Sequence, residues 1–284
     1  MATFRIENEL GQSLQLSGME HKWQIKSITG LNQPNAALSL SVIPTFDGER
    51  LNSARLEKRN PVITLAINGN VEKNLLELNR VIQSKKFLRL YFKSNIFDVY
   101  VNGTVESFEY DHFEDGKVIA QISLICENPY WISNSENTKE MSKVINLLEF
   151  PISLPDEGIA FSEIKSTETD IFFNRGNVNN PVKIEIVING AVENPKIINT
   201  TAGKTMEIKK DFKAGDVIYI STGKGEKAID LYRDGELVSI INAVELPIEW
   251  LELVPGNNLI QITAKSGVLN MQTIIKESTL YGGV

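Results

Sequence analysis

Histidine and cysteine are scarce in this 284-residue chain. The two histidines, His21 and His112, lie far apart, and neither has a cysteine or carboxylate at the spacing of a zinc site. The single cysteine, Cys126, has no partner for an internal disulfide. The alternating stretch around it, QISLICENPYW, predicts a small buried side chain on a strand. We therefore expect no metal site, no cofactor and no disulfide-stabilised fold.

The sequence also lacks the short motifs that accompany catalysis, and the Gly-x-Ser-x-Gly nucleophile elbow is among those missing. Gly203-Lys204-Thr205 resembles the end of a phosphate-binding loop, but Ile198 stands where that motif needs its first glycine. The 36 acidic residues single out no pair for glycoside cleavage. These absences favour a protein that is not an enzyme and leave a hydrolase with an unrecognised carboxylate pair as the weakest alternative.

An excess of positive charge and long apolar runs are missing as well. The formal net charge is −7, which argues against nucleic-acid binding as the main function of the protein. It permits a ring through which DNA passes without being bound. No apolar stretch approaches the roughly 18–20 residues that cross a bilayer, so we expect no membrane insertion. The opening MATFRIENEL has no basic residues followed by an apolar run, so we expect no secretory signal and synthesis in a reducing cytoplasm.

What the chain does contain is a succession of short strand patterns separated by turn residues, which predicts an all-β fold. Val62–Ile67 and Phe87–Phe92 have the length and alternation of strands. Asn102-Gly103 predicts a hairpin between Phe97–Val101 and Thr104–Tyr110, and Asp115-Gly116 leads into Val118–Cys126. One segment has helical period instead: Val71–Lys85 predicts a single helix that covers an open end of the β domain.

The strand pattern loosens in the middle of the chain, where polar residues and prolines interrupt the apolar ones. This predicts an N-terminal β domain at 1–134, a linker region at 135–168 and a C-terminal domain at 169–284. Regular short strands in the last part favour a two-sheet sandwich of jelly-roll type.

A charged stretch, Ile43–Pro61, lies between two predicted strands and reads as an extended arm. Its cations alternate with glutamates, and they are Arg50, Arg55, Lys58 and Arg59. Arginines on such an arm suit a subunit interface, where they pair with a neighbour's carboxylates, and a solvated hairpin is the open alternative. The tryptophans Trp23, Trp131 and Trp250 suit either a sugar-binding platform or, as we favour, the packing of the two cores.

The order of these features resembles the distal tail proteins of long-tailed phages that infect Gram-positive bacteria. The similarity extends over nearly the whole chain. It rests on Gly30-Leu31, the arm ending in Arg59-Asn60-Pro61, the helix, the Asn-Gly hairpin, ISLICENPYW (122–131), NPVKIEIVING (180–190), AGDVIYIST (214–222), DLYRDGELV (230–238), LVPGNNLIQI (253–262) and LYGGV (280–284).

The resemblance implies a virion structural protein at the tail tip. It implies a hexameric ring built by the N-terminal domain and its projecting hairpin arm, near 44–61, with a galectin-like β-sandwich as the C-terminal domain. Such a ring joins the tail tube protein to the tail-associated fibre or lysin protein, often anchors receptor-binding proteins, and lets DNA pass through its channel. The alternative function is a carbohydrate-binding β-sandwich module for attachment to the host surface.

Overall fold

The computed structural model describes residues 2–16, 22–45, 47–112, 118–146, 162–166 and 169–284, so His21 lies outside the described residues. The chain forms two units, Met1–Asn134 with Leu280–Val284, and Ser135–Thr279. The second unit therefore begins within the stretch that the sequence analysis treated as a linker. The segment Leu280–Val284 belongs to the first unit. No helix in the described part of the chain is long and apolar enough to span a membrane.

The first unit is a β domain with one helix. Its elements are β1 (Thr3–Asn8), β2 (Ser13–Leu16), β3 (Trp23–Thr29), β4 (Ala36–Val42), β5 (Glu49–Leu56), β6 (Val62–Ile67), α1 (Val71–Val81), β7 (Phe87–Lys93), β8 (Asp98–His112), β9 (Val118–Ile125) and the start of β10 (Trp131–Glu140). The sheet order is β2-β1-β7-β8-β9-β6-β3, while β4 and β5 form a sheet of their own. Alternate residues of the large sheet, such as Leu88 and Leu90 of β7, fill the core.

The helix α1 begins as its sequence predicts and ends early. The Asn70 side chain accepts a hydrogen bond from the backbone N–H of Lys73, which caps the first turn. Leu75, Leu78 and Val81 are buried along one stripe. The prediction continued to Lys85, but the helix stops at Val81 because Ile82 is extended, with φ −104° and ψ 111°. The Lys85 N–H then donates to the Val105 carbonyl of β8 rather than to a helical partner.

The predicted hairpin at Asn102-Gly103 is wrong, because β8 runs through it as one strand of 15 residues. β8 pairs with β7 up to Thr104 and with β9 from Thr104 onward. Gly103 allows the backbone of β8 to lie close to residues 125–126, and it does not form a turn. A Cβ at Gly103 would lie 2.9 Å from Sγ of Cys126 and 3.1 Å from the Ile125 carbonyl oxygen.

The second unit is a β-sandwich. After the rest of β10 come β11 (Ser142–Asn146), β12 (Ser162–Ser166), β13 (Thr169–Asn174), β14 (Asn180–Pro181), β15 (Lys183–Ile188), β16 (Val192–Asn199), β17 (Lys204–Glu207), β18 (Asp211–Phe212), β19 (Val217–Ser221), β20 (Ala228–Arg233), β21 (Glu236–Ser239), β22 (Glu252–Leu253), β23 (Gly256–Ser266) and β24 (Met271–Tyr281). The last two residues of β24 belong to the first unit. Two short 3₁₀ helices, Ile241–Ala243 and Val268–Asn270, connect strands.

Two sheets enclose the core of this unit. One has the order β10-β24-β15-β19-β20-β21, and the other contains β13, β23, β16 and β17, with β18 also beside β16. Ile186 and Ile218 from the first sheet and Ile197 and Ile262 from the second are at most 4% exposed and belong to one apolar cluster. The period-two alternation of these strands buries one face of each sheet, so the predicted all-β fold class is confirmed.

A polar cluster lies inside the second unit. Glu277 of β24 is 2% exposed. Its carboxylate accepts hydrogen bonds from the amides of Asn137 and Asn180, each at 2.6 Å, and from the hydroxyl of Thr279 at 3.0 Å. The other amide hydrogen of Asn180 goes to Oδ1 of Asn174 at 2.8 Å. Neutral donors therefore stabilise this buried charge.

Candidate functional site

The most distinctive surface of the first unit is the two-stranded sheet of β4 and β5, which we call the arm. All eight residues of β5 are exposed. The arm carries large apolar side chains that solvent reaches freely: Leu38 is 56% exposed, Leu40 50%, Val42 71%, Leu51 53% and Leu56 40%. Apolar side chains grouped in this way mark a surface that another molecule covers.

The strand register gives the arm one apolar and one polar face. Side chains directly opposite each other in an antiparallel pair point to the same side. The apolar face is formed by the pairs Ala36–Leu56, Leu38–Ala54 and Leu40–Leu51 and by Val42, whose partner Glu49 places one carboxylate at the end of this face. The polar face is formed by Ala37–Arg55, Ser39–Ser53 and Ser41–Arg50. An extra residue, Asn52, at the irregularity beside Ser39 preserves this separation, and it accepts a hydrogen bond from the Ser41 hydroxyl at 3.2 Å.

The arm begins and ends earlier than the sequence analysis placed it. It comprises Ala36–Val42 and Glu49–Leu56 rather than residues near 44–61. Two of the predicted interface cations, Arg50 and Arg55, lie on its polar face. Lys58 is exposed but follows the end of β5. Two of the four predicted interface residues therefore lie on the arm, and their role at an interface stays a prediction.

The sequence places Arg59 on the exposed arm, but its side chain is only 2% exposed and lies inside the first unit. Its guanidinium donates to backbone carbonyl oxygens from three stretches of chain. Nε donates to Pro129 at 2.7 Å. Nη1 donates to Gly30 and Asn32, each at 2.6 Å, and to Leu31 at 3.2 Å, while Nη2 donates to Gly282. This guanidinium is therefore engaged within the first unit.

Arg59 belongs to the place where the arm joins the domain, which we call the arm root and define as residues 30–35 and 57–60. The N–H of Glu57 donates to the carbonyl of Asn35 at 2.9 Å, which joins the two stretches directly. They also approach closely at Gly30, where a Cβ would lie 2.5 Å from the Asn60 carbonyl oxygen. Nε1 of Trp131 donates to the carbonyl of Leu31 at 3.2 Å. Hydrogen bonds and a close backbone approach thus join the two stretches of the arm root to each other and to the first unit.

Cys126 lies beside Arg59, to which it is joined by a backbone bridge. Its thiol is completely buried, and burial raises its pKa to about 12, although the nearby guanidinium opposes the rise. The same burial lowers the pKa of Arg59 from its usual value, with the electrostatic influence of Cys126 acting in the opposite direction. The expectation of a buried small side chain at Cys126 is confirmed.

The raised pKa of Cys126 predicts alkaline destabilisation. An unfolded thiol ionises near pH 8.5, so the folded state loses stability above that pH by about 1.4 kcal/mol per pH unit until the folded pKa is reached. Unfolding free energies measured between pH 8 and pH 10 should fall in the wild type and not in Cys126→Ala. A thiol reagent at pH 8 should modify the wild type only as fast as the domain opens, and rapid modification of the native protein would contradict the assignment.

Two of the three tryptophans are enclosed in the core of the first unit, as the favoured expectation has it. Trp23 is 3% exposed and Trp131 is fully buried. Trp250 is packed against the core of the second unit, with the ammonium of Lys227 5.1 Å from its ring centroid. Among the described residues, no group of three or more His, Cys, Asp or Glu side chains is placed to hold a metal ion.

Comparison with known proteins gives matches in sequence and in fold. Residues 175–275 match the family described as the siphovirus-type tail component, C-terminal domain. No curated protein is significantly similar to the chain in sequence. The fold is similar to that of the Dit protein of phage SPP1, described as a paradigm of the hub of the adsorption apparatus in phages that infect Gram-positive bacteria. That likeness has a TM-score of 0.64 at 13% identity and covers 98% of both chains.

A more distant likeness is to a chain of the phage P2 baseplate in its activated conformation with Ca, with a TM-score of 0.43 at 9% identity over 97% of this chain and 98% of that one. We draw nothing from it. The resemblance to the distal tail proteins is confirmed by the family match in the C-terminal part and by the shared fold over the whole chain.

Proposed function

We propose that this chain, which carries the C-terminal domain of the siphovirus-type tail components, is the structural hub of a phage tail tip. Copies of it close into a hexameric ring. The ring joins the tail tube protein to the tail-associated fibre or lysin protein and to the receptor-binding apparatus. The proposal assigns no catalytic step to the chain.

The observation that carries this proposal is the arm, whose apolar side chains are exposed among the described residues. An isolated two-stranded sheet is marginally stable in water unless it packs against something else. The arm nevertheless exposes a face with three apolar residue pairs and Val42, and it belongs to neither sheet of the domain cores. A neighbouring copy that covers this face supplies packing for it.

A ring follows from the way such an arm is used. The arm of one copy contacts a different surface on the next, so the interface is heterologous, and repeated contacts of this kind close when the rotation between copies permits. Arg50 and Arg55 on the polar face are suited to pair with carboxylates of the neighbour. With a formal net charge of −7, such a ring lets DNA pass without holding it.

The test is the assembly state of the purified wild-type chain. Native mass spectrometry over a range of concentrations, with negative-stain images of the same samples, should show hexamers and closed rings at the higher concentrations. Addition of the tail tube protein should stabilise the rings. A chain that stays monomeric at every concentration and binds neither the tube protein nor the fibre protein would exclude the proposed role.

A further inference from the structure

The arm joins the first unit at the arm root, through one incoming and one outgoing stretch. Residues 30–35 lead from β3 into β4, and residues 57–60 lead from β5 into β6. The Arg59 side chain belongs to the outgoing stretch, and three of its hydrogen bonds go to carbonyls of the incoming one. Its other two bonds go to Pro129 and Gly282, which lie outside the arm root. One side chain therefore joins both stretches to each other and to the body of the domain.

We propose that Arg59 is a positioning residue that sets the direction of the arm, so that ring closure depends on a side chain that never touches the neighbouring copy. This inference rests on the proposed ring. It replaces the earlier expectation that Arg59 is an interface residue and assigns it a different part in the same assembly.

The chemistry of the site calls for arginine. A guanidinium presents five N–H donors in a planar, rigid fork, whereas a lysine ammonium presents three donors at a single point. The five carbonyl oxygens come from three separate stretches of chain, at distances that reach 3.2 Å. A lysine at this position therefore satisfies fewer of them, and the buried Gly282 carbonyl is among those that can lose their donor.

The geometry of the arm amplifies any loosening at its root. The seven residues of β4 extend for about 24 Å at about 3.4 Å per residue. A rotation of about 10° at the root moves the far end of the arm by about 4 Å. Such a displacement is comparable to the spacing between neighbouring strands, so the apolar face would miss the surface that it covers in the ring.

The segment Gly282–Val284 holds the incoming stretch from a further side. The N–H of Val284 donates to the carbonyl of Leu31 at 3.2 Å. A Cβ at Gly283 would lie 2.9 Å from the backbone nitrogen of Gln33, so this segment lies directly on the incoming stretch. The Gly282 carbonyl completes the set of acceptors around Arg59.

The experiment compares Arg59→Lys with Arg80→Lys, a matched change at an exposed arginine of α1. Hydrogen exchange of the monomeric proteins should show faster exchange at 30–35 and 57–60 in Arg59→Lys alone, with the core strands unchanged. Native mass spectrometry should show that Arg59→Lys needs at least about tenfold more protein to form hexamers, equivalent to about 1.4 kcal/mol of assembly free energy. Wild-type exchange and wild-type assembly in Arg59→Lys would overturn the inference.

A cross-link at the root separates positioning from general stability. Asn35 and Glu57 continue the antiparallel register of Ala36 and Leu56, so Asn35→Cys with Glu57→Cys is suited to a disulfide. Oxidation of the triple variant with Arg59→Met should restore hexamers, and reduction should remove them again. Failure of the oxidised variant to assemble, while its circular dichroism matches the wild type, would overturn the inference. Absence of hexamers in the wild type would instead refute the proposed ring, while the exchange data still test the root.

Discussion

Leu40→Asp combined with Leu51→Asp should abolish ring assembly and leave the single chain folded. The two leucines are opposite each other on the apolar face of the arm and are 50% and 53% exposed, so the monomer loses little packing. In the proposed ring the same side chains would be buried against the neighbouring copy, where two carboxylates would have no partner. If each substitution costs about 1.4 kcal/mol of assembly free energy, through lost apolar contact and an unpaired carboxylate, the concentration needed for hexamers should rise at least about a hundredfold.

The matched control is Leu10→Asp with Leu76→Asp, which places the same two charges on exposed leucines away from the arm. Leu10 is 77% exposed and Leu76 is 54% exposed. Sedimentation velocity over a dilution series measures assembly for both variants, and thermal unfolding of the monomers measures the fold. Hexamers that persist at wild-type concentrations in the arm variant would show that this face is not the contact between copies.

Elements whose signal is local were predictable from the sequence. β6 has the bounds Val62–Ile67 that its apolar run indicates, and α1 begins directly after the capping side chain of Asn70. Both depend on neighbours along the chain, through the side-chain period and the first-turn hydrogen bond. The end of α1 was not predictable in the same way, because the apolar period continues past Val81, whereas the backbone is extended at Ile82 and the Lys85 N–H donates to Val105 of another element.

Gly103 and Arg59 were misread because their partners are distant in sequence. An Asn-Gly pair between alternating apolar residues favours a hairpin, yet Gly103 leaves room for Sγ of Cys126 within a continuous strand. Likewise Arg59, in a row of charged residues, suggests a surface position. Its acceptors lie 27 to 223 residues away in the sequence, and no local pattern contains them.

The arm shows what an alternating pattern does and does not predict. Leu38, Leu40 and Val42 alternate with small or polar residues, which predicts a strand with one buried face. The strand exists, but this face is exposed in the single chain. The pattern is therefore consistent with burial against another molecule, and the sequence does not distinguish burial within the chain from burial between copies.

Replacement of Glu277 by leucine should destabilise the second unit by about 2–4 kcal/mol. The change removes the acceptor of the amides of Asn137 and Asn180 and of the Thr279 hydroxyl. Asn180 is fully buried, so its freed N–H cannot turn to bulk water. Equilibrium denaturation followed through the tryptophan signal and circular dichroism measures the loss. Glu226→Leu is the control, because that side chain is 69% exposed and should change stability by no more than about 0.5 kcal/mol.

Glu277→Gln separates the contribution of the charge from that of the hydrogen bonds. A glutamine keeps one acceptor oxygen but turns an NH₂ group toward a donor, so one of the two amides loses its partner. Its stability should therefore lie between those of the wild type and Glu277→Leu. A leucine variant as stable as the wild type would mean that apolar packing replaces the cluster without loss, as happens at some buried ionic sites. In that case the asparagines around Glu277 contribute to the specificity of the fold rather than to its stability.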